Sequence, residues 1–124
     1  MKNKRAKITR LLLEVRKDAI LYRKHKRFVN LSQACEKTWV ACNFYLEYNF
    51  NVEIKSGKNA ETLAYATGLS GLYNTTHELH VLHYEGSPGA NDGAVLREIE
   101  ESVNAIQRLL VLKQVFVRKH VRLR

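Results

Sequence analysis

Glu36 and Trp39 stand three residues apart, and His80 and Tyr84 stand four apart. Both spacings put the pair on one face of a helix. A carboxylate, an indole, an imidazole and a phenol can relay protons, form a hydrogen-bond network or stack on a flat ligand. An unpartnered carboxylate in an apolar helix costs several kcal/mol, so Glu36 should meet His80 or Tyr84 if the helices carrying them pack together. Two readings remain open for this polar cluster. It is a network that fixes helix register, or a pocket for a small molecule or nucleotide. His77, His80 and His83 follow three-residue steps, drift about 60° per step and span roughly 120° of the helix, too wide an arc for all three to face one ion. There is no zinc-site spacing of Cys and His, no phosphate-binding or dinucleotide glycine loop and no nucleophile elbow. The sequence therefore assigns no catalytic residue, no metal and no cofactor.

The second chemical resource is charge. The chain carries 21 Lys and Arg against 12 Asp and Glu, a formal net charge of +9. Residues 1–30 hold eleven Lys or Arg and two acids, residues 31–111 hold five against ten, and residues 112–124 hold five with no acid. Both ends are cationic and the middle is acidic. On the first helix Arg10, Lys17 and Lys24 recur every seven residues and form a lengthwise row. Lys4, Arg5, Lys7, Arg10, Lys17, Lys24, Lys26 and Arg27, with Tyr22 and Phe28 interleaved, are candidates for phosphate contact and base stacking. Arg118, Lys119, Arg122 and Arg124 form a candidate arm. The same asymmetry also fits basic ends that meet an acidic protein, or plain solubilising charge.

These residues need a scaffold. At 124 residues and 45% apolar content the chain fits one compact domain with a core of its own. Met1-Lys2-Asn3-Lys4-Arg5 looks like the start of a signal peptide, but Glu14, Arg16, Lys17 and Asp18 interrupt any apolar stretch behind it, and no run is long enough to span a bilayer. A cytoplasmic protein without a membrane segment is expected. Cys35 and Cys42 lie about 10.5 Å apart along one helix face, so they cannot bridge each other. They are small buried hydrophobes, or form a bridge across a dimer.

Apolar periodicity predicts helices over residues 4–27, 31–48, 59–73, 75–84 and 94–113. Asn30 caps the second, and Thr75 with Glu78 forms a capping box for the fourth. Residues 49–58 and 85–93 read as loops. From Val115 to Leu123 apolar and polar residues alternate as in a strand, so the tail is expected to be extended. The fold class is all-α, an antiparallel up-and-down bundle of four or five helices over residues 1–113, followed by a basic tail over residues 114–124.

Ala34-Cys35-Glu36-Lys37-Thr38-Trp39-Val40-Ala41 resembles the A-x-E-K-x-W-x-A signature of the archaeal PaREP family, which is grouped with the HEPN-like helical bundles. Leu79-His80-Val81-Leu82-His83-Tyr84-Glu85-Gly86 is similar to that family's L-H-x-N-F-Y-E-G, with Leu82 in place of Asn and His83 in place of Phe. The resemblance covers roughly residues 12–110. It implies an antiparallel bundle that is often a homodimer, with no well-established activity. HEPN-like ribonucleases use an Arg followed by a His after four to six residues, and no His here has an Arg at that distance.

The expected function is a non-catalytic binding protein whose basic N-terminal helix and C-terminal tail engage RNA or an RNA-containing assembly. The alternative is a dimeric protein-interaction or toxin–antitoxin-type module. A ribonuclease with a changed active site is the third reading.

Overall fold

A computed structural model describes residues 3–85 and 91–122, with side chains as far as residue 112. Five helices make up the fold: α1 (Lys4–His25), α2 (Phe28–Phe50), α3 (Gly57–Ala66), α4 (Ser70–Glu85) and α5 (Asp92–Arg122). No strand occurs among the described residues. None of their helices is long and apolar enough to cross a membrane.

The core follows the apolar stripes. Ile8, Leu12, Val15, Ala19 and Tyr22 line the inner face of α1, and Leu31, Ala34, Cys35, Thr38, Cys42, Tyr45 and Leu46 line that of α2. Leu79 of α4 and Val95, Ile99, Val103, Ile106 and Leu110 of α5 close the same cluster. α2 packs against all four other helices. Its central place follows from its composition, since only a helix apolar around most of its circumference can be covered on several sides. Cross-helix contacts fix the directions. Lys4 reaches Glu47 and Lys37 reaches Asp18, so α1 and α2 are antiparallel. His80 reaches Glu36 and His83 reaches Ser32, so α2 and α4 are antiparallel, and Arg16 reaching Gln107 with Tyr22 reaching Asp92 sets α5 antiparallel to α1.

Both cysteines are free and buried. Burial, with Glu36 and Glu98 nearby, pushes the Cys35 thiol up to about 12, and burial pushes Cys42 up to about 11. Neither sulfur is at a surface that a second copy could reach, which removes the bridge across a dimer.

Several boundaries differ from the periodicity reading. α1 stops at Lys26, whose φ of 55° is left-handed and whose N–H bonds Tyr22 O, and α2 starts at Phe28. Asn30 therefore lies inside α2 and bonds Asp18 at 3.3 Å instead of capping. The break after α3 falls at Gly68, φ +78°, a backbone conformation that side chains with a Cβ rarely adopt. Ser70 to Tyr73 thus belong to α4, and the Thr75 capping box sits within that helix, where Thr76 Oγ1 bonds Leu72 O. Ser56 caps α3 by accepting from Asn59 N–H, two or three residues earlier than the periodicity indicated.

The largest correction concerns the tail. α5 continues without a break to Arg122, so the alternation after Val115 does not mark an extended segment. A lone strand there would leave its backbone groups without partners, whereas a helix satisfies its own. Side chains of Arg118, Lys119 and Arg122, and Arg124 altogether, lie outside the described residues.

Candidate functional site

The polar cluster assembles where α2 crosses α4. His80 Nδ1 lies 2.9 Å from Glu36 Oε2 and 3.2 Å from Oε1. A carboxylate only accepts, so Nδ1 carries a ring proton, and in the neutral ring Nε2 is left as an acceptor. Trp39 stacks on His80 with ring centroids 5.1 Å apart, and Tyr84 meets His80 edge to face at 4.8 Å. The four residues expected to converge do so.

The seam is longer than those four. Trp39 also contacts Tyr73 and His77, each at 5.3 Å between centroids, and His77 lies 6.1 Å from His80. One turn beyond, His83 Nδ1 donates to Ser32 O at 2.9 Å and lies 2.7 Å from Ser32 Oγ. The hydrogen bonds of His80 and His83 go to different partners, Glu36 and Ser32, while His77 and His80 share the Trp39 ring. Among the described residues no three His, Cys, Asp or Glu side chains gather as a metal would need. Tyr73, His77 and His83 were not read into the cluster. The signal for Tyr73 and His77 was the spacing of Tyr73, His77, His80 and Tyr84 at four-, three- and four-residue steps, one face of a helix.

This arrangement contains half of a general-base system, a carboxylate orienting an imidazole. No Lys or Arg bonds Glu36 or His80 among the described residues, so nothing there stabilises a phosphate or a developing oxyanion. The chemistry it offers is hydrogen-bond acceptance beside exposed ring faces.

The cationic surface divides into paired and unpaired groups. Lys4 is bound by Glu47 at 3.2 Å and lies 4.4 Å over the Phe44 ring, which takes it out of the phosphate-contact set. Arg16 is held by Asn104 and Gln107, and Lys37 by Asp18 at 2.9 Å. Arg23 and Lys26 face Glu100 and Asp92 at 3.6 Å in exposed pairs, which are weak and leave the cations accessible. Tyr22, expected to offer a stacking ring, is buried and donates to Asp92 at 2.9 Å. That bond lowers the Asp92 carboxyl and, with burial, raises the Tyr22 phenol. Phe28 remains exposed.

Lys7, Arg10, Lys17, Lys24 and Arg27 are exposed and enter none of these pairs. Arg10, Lys17 and Lys24 lie opposite the buried stripe of α1, spanning about 21 Å of its length. Glu14 and Asp18, the only acids of α1, turn toward Lys37 of α2. The outer face of α1 is thus free of acid.

Arg5 adds a second feature. It lines a cleft of about 660 Å³ between α1 and α5, together with Thr9, Asn104, Gln107 and Arg108. Its Nη1 is buried with no hydrogen-bond partner among the described residues. A buried donor left unmade costs about 1–3 kcal/mol, and an anion between Arg5 and Arg108 would recover it. Arg108 was not singled out from the sequence, because it sits in the acidic middle stretch. No family model, no curated protein and no solved structure matches this chain.

Proposed function

We propose that this protein binds RNA, without cleaving it, by laying the sugar-phosphate backbone along the outer face of α1. The observation that carries this reading is the segregation of partners. Acids occupy Lys4 and Lys37, while Lys7, Arg10, Lys17, Lys24 and Arg27 face solvent with none among the described residues. Unpaired cations release counterions when they meet phosphates, and paired ones first have to lose their carboxylates. The Arg5 and Arg108 cleft lies where α1 begins beside α5 and supplies a seat for one phosphate.

The likeness of the two signatures to PaREP and HEPN-like bundles belongs to the same proposal. On that proposal the chain is a HEPN-like scaffold that lacks the Arg and His pair of the ribonucleases. RNA cleavage is disfavoured because His80, the one imidazole oriented by a carboxylate among the described residues, has no bonded cation among them to stabilise a phosphorane-like charge.

Binding of a labelled single-stranded RNA followed across salt concentrations tests the reading. Five phosphate contacts give a slope of log K against log salt near −3.5, at about −0.7 per contact. A flat response, or no binding at low salt, overturns it.

A second reading rests on Leu13 and Ile20, both 61% exposed, and Val111 and Leu112 on the facing part of α5. These apolar side chains favour a protein-interaction module that self-associates along α1 and α5. Sedimentation of the wild-type chain and of Leu13→Lys separates it from the first: association lost in the variant supports it, and a monomer at all concentrations removes it.

A further inference from the structure

We infer that the seam between α2 and α4 is a stacking site for a nucleobase that carries an exocyclic amine. This goes beyond the α1 reading and does not lean on it, since it uses other helices and another chemistry.

Tyr73, His77, His80 and Tyr84 follow one face of α4 over about 16.5 Å, and Trp39 of α2 wedges against the first three. The inner part needs no ligand to explain it. Leu79 is fully buried, Tyr73 is buried and donates to Gly57 O, and His83 is tied to Ser32, so helix register is already fixed. The outer part has no such purpose. Tyr84 is 72% exposed, its hydroxyl bonds no described residue, and His77 is exposed beside it on the same face. Between these two lies His80, backed by Trp39 and held in one tautomer by Glu36.

That tautomer decides the ligand class. Nε2 of the neutral ring accepts, and no described residue bonds it. Glu36 also only accepts. With no Lys or Arg bonded to the cluster, a phosphate gains nothing there. A planar ring with N–H donors gains both stacking and hydrogen bonds. Adenine and cytosine present an exocyclic amine, whereas uracil presents two carbonyls about one imino N–H. The site should therefore take adenine or cytosine over uracil.

Trp39 is the single tryptophan of the chain and touches His80 directly, so its emission reports on the site. Titration with adenosine, cytidine, uridine and inorganic phosphate should give a saturable change with the first two. Uridine, whose imino N–H is flanked by two carbonyls that would face acceptors, should bind about tenfold more weakly, and phosphate should do nothing. Tyr84→Ala removes an exposed ring, leaves the helical circular dichroism unchanged and should weaken adenosine about tenfold. Glu36→Gln keeps the side-chain shape and should narrow the gap between cytidine and uridine.

The inference is overturned if no nucleoside gives a saturable response, or if Tyr84→Ala binds as the wild type does. Equal affinity for cytidine and uridine overturns the acceptor assignment. Salt-sensitive RNA binding with a silent Trp39 would overturn this site alone, and nucleoside binding without RNA binding would overturn the α1 reading alone.

Discussion

The outer face of α1 and the seam between α2 and α4 are both rich in polar groups, yet they are built in opposite ways. On α1 the chemistry is left open, since Arg10, Lys17 and Lys24 point to solvent and the acids of the same helix face α2. In the seam the groups engage one another first. Glu36 orients His80, His80 stacks on Trp39, and only the rim at His77 and Tyr84 is left to solvent. Open charges act over several ångströms and weaken with salt; a directional seam acts at contact and is screened little. A count of charges therefore overstates the α1 surface, and a list of polar residues understates the order in the seam.

The contrast is broken most severely at Leu79, which is fully buried and precedes His80 on α4. Leu79→Ala should cost about 2–5 kcal/mol in chemical denaturation. It should loosen the seam while the cations of α1, which lie on the side of that helix opposite the shared core, keep their salt-dependent behaviour. Equal loss in both regions would mean that they fold as one unit with no separate roles.

A smaller effect is expected from the Glu36 and His80 pair. In a double-mutant cycle of Glu36→Ala and His80→Ala the two changes should couple by about 0.5–3 kcal/mol, because each removes the same hydrogen bond. Additivity would mean that the contact contributes little and the seam is held by its rings alone.

Glu98 gives the smallest effect. Burial, then Glu78 and Glu101, raise its carboxyl above the ordinary range. The folded chain then binds a proton more readily than the unfolded chain just above the usual carboxylate range, so this group adds stability as pH falls through that window and subtracts it at neutral pH. Glu98→Gln should raise the midpoint of thermal unfolding slightly at pH 7 and flatten its rise toward mildly acidic pH. An unchanged pH profile would contradict the direction of the shift.

The all-α class, the inward faces of α1, α2 and α5, and the convergence of Glu36, Trp39, His80 and Tyr84 were legible in the sequence. Apolar spacing and the cost of an unpaired carboxylate are local quantities. Long-range pairing was not legible. Nothing within α1 shows that Lys4 will find Glu47, forty-three residues on, or that Tyr22 will turn inward to Asp92. The break at Gly68 was missed because glycine in a helical pattern signals either close packing or a left-handed turn, and only the backbone decides. The alternation after Val115 misled for another reason. Without a neighbouring strand, period two has nothing to pair with, and α5 simply runs on.

The central claim is that partner occupancy, not the number of cations, defines the nucleic-acid surface. It is tested most directly by two triple variants that remove equal charge, compared by the salt dependence of single-stranded RNA binding. Replacing Arg10, Lys17 and Lys24 with Ala should flatten the slope of log K against log salt by about 2, whereas replacing Lys4, Arg16 and Lys37 with Ala should leave it nearly unchanged. Equal flattening in both variants, or none in the first, would contradict the claim.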